Sequence, residues 1–253
     1  MSLTKSQGAA VSAALCFLLL AVDCAAAVLN VSPVRVEISH RERSALVTIR
    51  NEGSEPASLQ ADIHHWAQDE DGDDVLGDTE DLLIVPRIFT VPAGKSQVVR
   101  IGKLVEASAD AEGTYRLIIT ELAPPEETVS GSGISVRLRL SLPVFLAPSV
   151  SAEPSVRVVR SQRHDDRLEV VMTNSGNATA QILGFRLSEG DDAVFGDGSP
   201  DESAEDRIQV GGYLLPGATR PFMLPLPADA DVTAVTAFTD TSDAVQYVLP
   251  GNN

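Results

Sequence analysis

The chain has 253 residues, with 19 basic against 36 acidic side chains and a formal net charge of −17 at pH 7. A surface that negative repels phosphate backbones, which disfavours nucleic acid as a partner. Hydrophobic residues make up 43% of the chain and aromatic ones only 4%, a balance that points to sheets packed with aliphatic side chains.

The N-terminus reads as an export signal over residues 1–27. Lys5 supplies a positive n-region, AALCFLLLAV (13–22) is an apolar run too short to span a bilayer, and AAA (25–27) is an A-x-A cleavage site. Cleavage is expected after Ala27. Both cysteines, Cys16 and Cys24, lie inside this segment, so the mature chain is expected to stand on its core without disulfides. No later apolar run is long enough to cross a membrane, and no stable membrane insertion is expected.

Strand-like runs follow at short spacing, over 29–39, 44–53, 58–68, 96–104 and 114–123, separated by turn residues. The next, GISVRLRLSLPVFLAP over 133–148, is the most regular. Ile134, Val136, Leu138, Leu140, Leu142 and Val144 take every second position, with Ser135, Arg137, Arg139, Ser141 and Pro143 between them. Successive side chains of a strand point to opposite faces, so this spacing predicts a long strand with one aliphatic face. Such an edge is an aggregation hazard unless something covers it. Pro143 cannot donate to a ladder, so pairing is expected to stop or kink there on one side.

APSVSAEPS (147–155) breaks the pattern with prolines and serines and reads as a linker. Strand-like runs resume at 155–161, 167–176, 179–188, 219–227, 232–241 and 244–250, and the acidic stretch 188–207 reads as a surface loop. TIRNEGSEP (48–56) and VMTNSGNAT (171–179) look like one strand-turn-strand device used twice. The pattern predicts an all-β chain of two β-sandwich domains. They divide as 28–148, a linker at 149–154, and 155–253.

Chemistry-bearing motifs are sparse. DEDGDD (69–74) echoes a calcium loop, but Gly72 sits fourth where that loop needs its glycine sixth, and no helices flank it. A solvated hairpin turn is the better reading. His64 and His65 are neighbours, so on a strand they face opposite ways and do not share a metal. Trp66 is expected in the core. There is no G-x-S-x-G, H-E-x-x-H or phosphate loop. Neither a catalytic centre, a metal nor a cofactor is expected.

NVSPVRVEIS, then PRIFTVPAGKSQVVRIG, YRLIITELAPP and ISVRLRLSLPVFLAP resemble, in order, the periplasmic pilus-assembly chaperones of the chaperone–usher pathway (PapD-like). LEVVMTNSGNATAQI, GGYLLPGATRPFMLP and TAFTDTSDAVQYVLP resemble their C-terminal domain. The resemblance implies two immunoglobulin-like domains at an angle with a cleft between them, and residence in the periplasm. The partners it implies are pilin or fimbrial subunits and an outer-membrane usher, and in the free form a second copy can cap the same edge. The strand at 134–146 would lend Ile134, Val136, Leu138, Leu140 and Leu142 to a pilin that lacks its own final strand, by β-strand addition.

The resemblance also implies two basic cleft residues that grip the pilin's C-terminal carboxylate. Arg35 in SPVRVEI matches the first. The second is lysine in the better-known branch, and its position here is Pro143. Arg116 in TYRLIITELAPP is the candidate replacement, as in the archaic branch. Arg137 and Arg139 are expected in solvent. The rival reading is an exported structural or adhesive sandwich, either a fibre subunit or a surface-ligand binder. A fibre subunit usually has a disulfide, which the mature chain lacks.

Overall fold

The computed structural model describes residues 28–106, 108, 110–123, 136–189, 207–226, 230–241 and 244–249. Residues 1–27, expected as an export signal, Ile134 and most of the acidic stretch at 188–207 lie outside the described residues. All regular structure among those described is strand.

The run at 29–39 forms two strands rather than one, β1 (Leu29–Ser32) and β2 (Val36–Ile38). Pro33 interrupts it, because proline offers no N–H to a ladder, and the two halves join different sheets. β3 (Ser44–Asn51) and β4 (Ala57–Gln68) follow, then three short strands, β5 (Asp74–Gly77), β6 (Leu82–Val85) and β7 (Ile88–Val91). β8 (Ser96–Lys103), β9 (Gly113–Glu121) and β10 (Arg139–Leu146) complete the first sandwich. One sheet runs β1-β3-β8-β6, and the other β2-β10-β9-β4-β5 with β7 also on β4. Alternate residues of these strands meet between the sheets, where Val47, Ile49, Leu59, Val99, Ile101, Leu117, Ile119 and Val144 are buried. Each such side chain contributes about 1.5–3 kcal/mol on burial.

The second sandwich holds β11 (Val156–His164), β12 (Arg167–Asn174), β13 (Ala180–Glu189), β14 (Gly212–Leu214), β15 (Thr219–Pro225), β16 (Val232–Thr239) and β17 (Val245–Val248). Its sheets run β11-β12-β15 and β14-β13-β16-β17. They close on Val170, Met172, Ile182, Phe185, Leu224 and Val235.

The likeness between 48–56 and 171–179 is present atom by atom. Asn51 Nδ2 donates to the carbonyls of Glu55 (2.7 Å) and Val91 (3.0 Å), and its Oδ1 accepts from the Gly53 N–H. Asn174 Nδ2 donates to Ala178 (2.7 Å) and Leu214 (3.0 Å), and its Oδ1 accepts from Gly176. The partners lie at the same offsets of 2, 4 and 40 residues in both sandwiches. The backbone repeats as well: Gly94 N–H bonds the Asn51 carbonyl, as Gly217 N–H bonds that of Asn174. Both asparagines are fully buried. A buried amide with all its partners satisfied fixes a corner, whereas each partner left bare would cost about 1–3 kcal/mol.

DEDGDD is a hairpin turn between β4 and β5. Asp69 Oδ1 accepts from the N–H groups of Asp71 and Asp73, so this carboxylate shapes the turn. Gly72 sits at φ +80°, and a Cβ there would lie 2.7 Å from Arg220 Cγ of the second sandwich. Only glycine meets both demands. His64 and His65 face opposite sides of β4: His65 meets Tyr115 edge-on at 5.9 Å, while His64 sits with Asp62 and Arg87.

Candidate functional site

The outward face of β4, β9 and β10 meets the second sandwich through aromatic side chains. Trp66 on β4, Phe145 on β10 and Leu215 after β14 are buried together, with Tyr213 packed on them. Ring centroids lie 5.4 Å apart for Trp66–Tyr213, 6.0 Å for Phe145–Tyr213 and 6.2 Å for Trp66–Phe145. Trp66 is therefore buried, as expected, but between the sandwiches rather than inside one. Gln68 joins the two sides with its amide: Nε2 donates to the Tyr213 carbonyl (2.9 Å) and Oε1 accepts from the Leu215 N–H (3.1 Å).

Arg35 and Arg116 flank this cluster. Arg35 lies just before β2, with its guanidinium 4.8 Å from the Phe145 ring centroid. Its Nε donates to Glu37 (2.8 Å) and its Nη1 to Asp240 of the second sandwich (2.8 Å). Burial works against its charge, but Asp240 and Glu37 outweigh that and hold it above the ordinary arginine value.

Arg116 on β9 stacks on Trp66, with Cζ 3.6 Å from the ring centroid and 5.5 Å from that of Tyr213. A guanidinium stacked flat on an indole is held in one plane. Its Nη2 reaches Asp74 at 3.5 Å, and its side chain is 14% exposed. Burial lowers its pKa from the ordinary value, and the nearby Arg220 adds to this against the pull of Asp74. The register places Arg116 directly across from Pro143. A basic residue at 116 thus occupies the cross-strand position opposite the one that proline vacates.

A cleft of about 210 Å³ opens beside Arg35, lined also by Glu37, Glu112, Phe145, Thr179 and Asp240. Arg116 is not among the residues lining it. Glu112 Oε2 accepts from the Thr179 N–H at 2.9 Å and so ties the sandwiches together. Burial pushes the Glu112 carboxyl above the ordinary glutamate value, against the bonds from Thr179 and the charge of Arg35. A raised folded pKa means that this group's contribution to stability is full below the ordinary glutamate range. It is lost as pH rises through the folded value. Glu112→Gln keeps an acceptor for Thr179 without the buried charge. The variant is expected to melt higher than the native chain at neutral pH and equally at acid pH, and a lower neutral melting temperature would contradict this.

The expected donor row divides in two. Val136 is 70% exposed and precedes β10, Leu138 is half-buried, Leu140 packs against the first core, and Leu142 is 6% exposed within it. In the free chain Leu142 faces its own sandwich, because β9 runs alongside and completes the core there. Leu140 shares that fate in part. Ile134 lies outside the described residues.

The hydrogen bonding of β10 follows from one observed contact, Glu121 N–H to the Leu138 carbonyl at 2.9 Å. In an antiparallel pair, bonded positions alternate, so residues 138, 140, 142, 144 and 146 direct their backbone groups to β9. The backbone groups of Arg139, Ser141 and Pro143 point the other way. On that side β2 pairs only with Val144–Leu146. Pro143 stays in register with β9, so its missing N–H affects only the outer edge, as the sequence predicts.

The second sandwich's contribution, Tyr213, Arg220 and Asp240, has no periodic or motif signal to reveal it. The runs GGYLLPGATRPFMLP and TAFTDT contain all three, but only the tertiary contact gives them a role.

A family model described as a pili and flagellar-assembly chaperone, PapD N-terminal domain, matches residues 28–151. Among solved structures, the chain resembles one from the CsuC–CsuE chaperone–tip adhesion subunit pre-assembly complex of the archaic chaperone-usher Csu pili of Acinetobacter baumannii. Identity is 19%, coverage is 87% of this chain and 98% of that one, and the TM-score is 0.62. It also resembles a chain of the Salmonella enterica SafA pilin–SafB chaperone complex (15% identity, 88% and 97% coverage, TM-score 0.57). The Pseudomonas aeruginosa CupB2 chaperone is a third (16%, 87% and 100%, TM-score 0.54). At these identities the likeness is one of fold. No curated protein matches the chain.

Proposed function

We propose that the chain is a PapD-like pilus-assembly chaperone, a reading supported by the match of residues 28–151 to the N-terminal-domain model of that family, and that it captures pilin subunits by β-strand addition along β10. The observation that carries this is the outer edge of β10: Arg139 and Ser141 pair with β9 on one side, and on the other side no strand among the described residues lies against them. An incoming strand satisfies those groups, and exposed apolar side chains beside them fill its groove. Val136 and Leu138 are the donors in this reading, with Ile134 continuing the row.

Arg35 and Arg116 hold the pilin's C-terminal carboxylate, with Arg35 in the cleft and Arg116 set by Trp66. Charge-assisted bonds from two guanidinium groups suit a carboxylate. Domains at 28–148 and 155–253, an intervening linker at 149–154, export through the signal at 1–27, residence in the periplasm and delivery to an outer-membrane usher complete the proposal. Capture makes and breaks no covalent bond, so the role requires no enzyme chemistry. The structural or adhesive reading is not favoured, since the matched family is one of chaperones.

The test is co-export with a pilin subunit and purification through a tag on the chaperone. A stoichiometric complex supports the proposal. A pilin that accumulates equally with and without the chaperone and never co-purifies overturns it.

A further inference from the structure

Each proposed anchor arginine already holds a carboxylate of its own chain, and for Arg35 that carboxylate comes from the other sandwich. Asp240 Oδ2 accepts from Arg35 Nη1 at 2.8 Å. Its other oxygen is fixed at home: Oδ1 accepts from the Gln181 N–H at 2.8 Å, and the Asp240 N–H donates to the Gln181 carbonyl. Asp240 is thus a rigidly mounted carboxylate aimed at the guanidinium. Both partners are only about a quarter exposed, at 27% and 25% for their side chains, so the pair is shielded more than a surface ion pair.

We propose that Asp240 is a resident stand-in for the incoming carboxylate, which must displace it from Arg35, and that it thereby sets the affinity of capture. This rests on the reading of Arg35 as a carboxylate anchor. A guanidinium grips a carboxylate best through two parallel N–H bonds, and with Nε on Glu37 and Nη1 on Asp240 neither two-bond face of Arg35 is free. Apparent affinity falls by the fraction of molecules in which Asp240 occupies the arginine. The exchange also unties one of the contacts between the sandwiches, so capture loosens the junction on the Arg35 side while Gln68 and Glu112 continue to bridge it. Glu37 differs from Asp240. It bonds Nε, lies two residues away on the same sandwich, and is 65% exposed, so it competes less.

The experiment uses the full mature chain and a fluorescein-labelled peptide of alternating valine and threonine. The peptide ends in a free carboxylate or in an amide, and binding is read by polarisation. Asp240→Asn keeps an oxygen for Gln181 and removes the charge, and a thermal melt checks that it folds. The native chain is expected to prefer the free carboxylate, and Arg35→Ala to lose that preference. Asp240→Asn should bind the free-carboxylate peptide roughly 2–10-fold tighter and the amide unchanged.

If Asp240→Asn binds the carboxylate no better, or Glu37→Gln improves it as much, the stand-in role is overturned while the Arg35 reading survives. If the native chain does not distinguish the two peptides, or binds neither, the Arg35 anchor fails and the stand-in falls with it. An Asp240→Asn chain that does not fold makes Asp240 structural and also overturns the inference.

Discussion

Arg35→Ala is expected to weaken capture of a pilin on the order of 10–100-fold, the loss of a charge-assisted bond to a carboxylate. The free chaperone should keep its fold, because Asp240 retains its bond to Gln181 when the arginine is gone. Arg116→Ala should also weaken capture, and Arg116→Lys should not restore it. The side chain works as a plane stacked 3.6 Å above Trp66, and an ammonium group has no such plane to present. Titrating each variant with the pilin, alongside a melt, separates capture from folding. Normal capture by Arg116→Ala would leave the carboxylate to Arg35 alone.

The second large effect divides β10 and its approach. Leu142→Ala is expected to destabilise the free chaperone by about 2–5 kcal/mol, the range for truncating a buried leucine, because Leu142 belongs to the first core. Val136→Ala and Leu138→Ala should melt near the native temperature yet lose most of the pilin complex, since Val136 is exposed and Leu138 half-buried. Leu140→Ala should show part of both defects. If Val136→Ala and Leu138→Ala capture the pilin as the native chain does, the donor row lies elsewhere.

Much of this architecture is legible in the sequence because strands report themselves through alternation. The aliphatic face is real over the described residues 136–146, but alternation cannot say where along it the partner changes from the chain's own core to something else. That depends on how far β9 runs beside it, which is a tertiary fact. The four-residue strands β5, β6 and β7 are too short to announce a period of two, and LLIV in β6 reads as a bare apolar run. Pro33 splits the first run where a propensity reading carries it through. Arg35 and Arg116 are reached by resemblance, whereas Asp240 is 205 residues from Arg35, and no local pattern connects them. Trp66 is rightly read as buried, but its face against Arg116 emerges only once the second sandwich is in place.

Residue-resolved amide hydrogen exchange across β10, in the free chaperone and in its complex with a co-purified pilin, tests strand addition most directly. In the free chain the N–H groups of Leu140 and Leu142, bonded to β9, should already be protected, and those of Arg139 and Ser141, facing the open edge, should exchange fast. On capture the account predicts strong new protection at Arg139 and Ser141 with little change at Leu140 and Leu142. If Arg139 and Ser141 still exchange fast in a complex that stays intact, no strand has been added to β10, and pilin capture through this edge is contradicted.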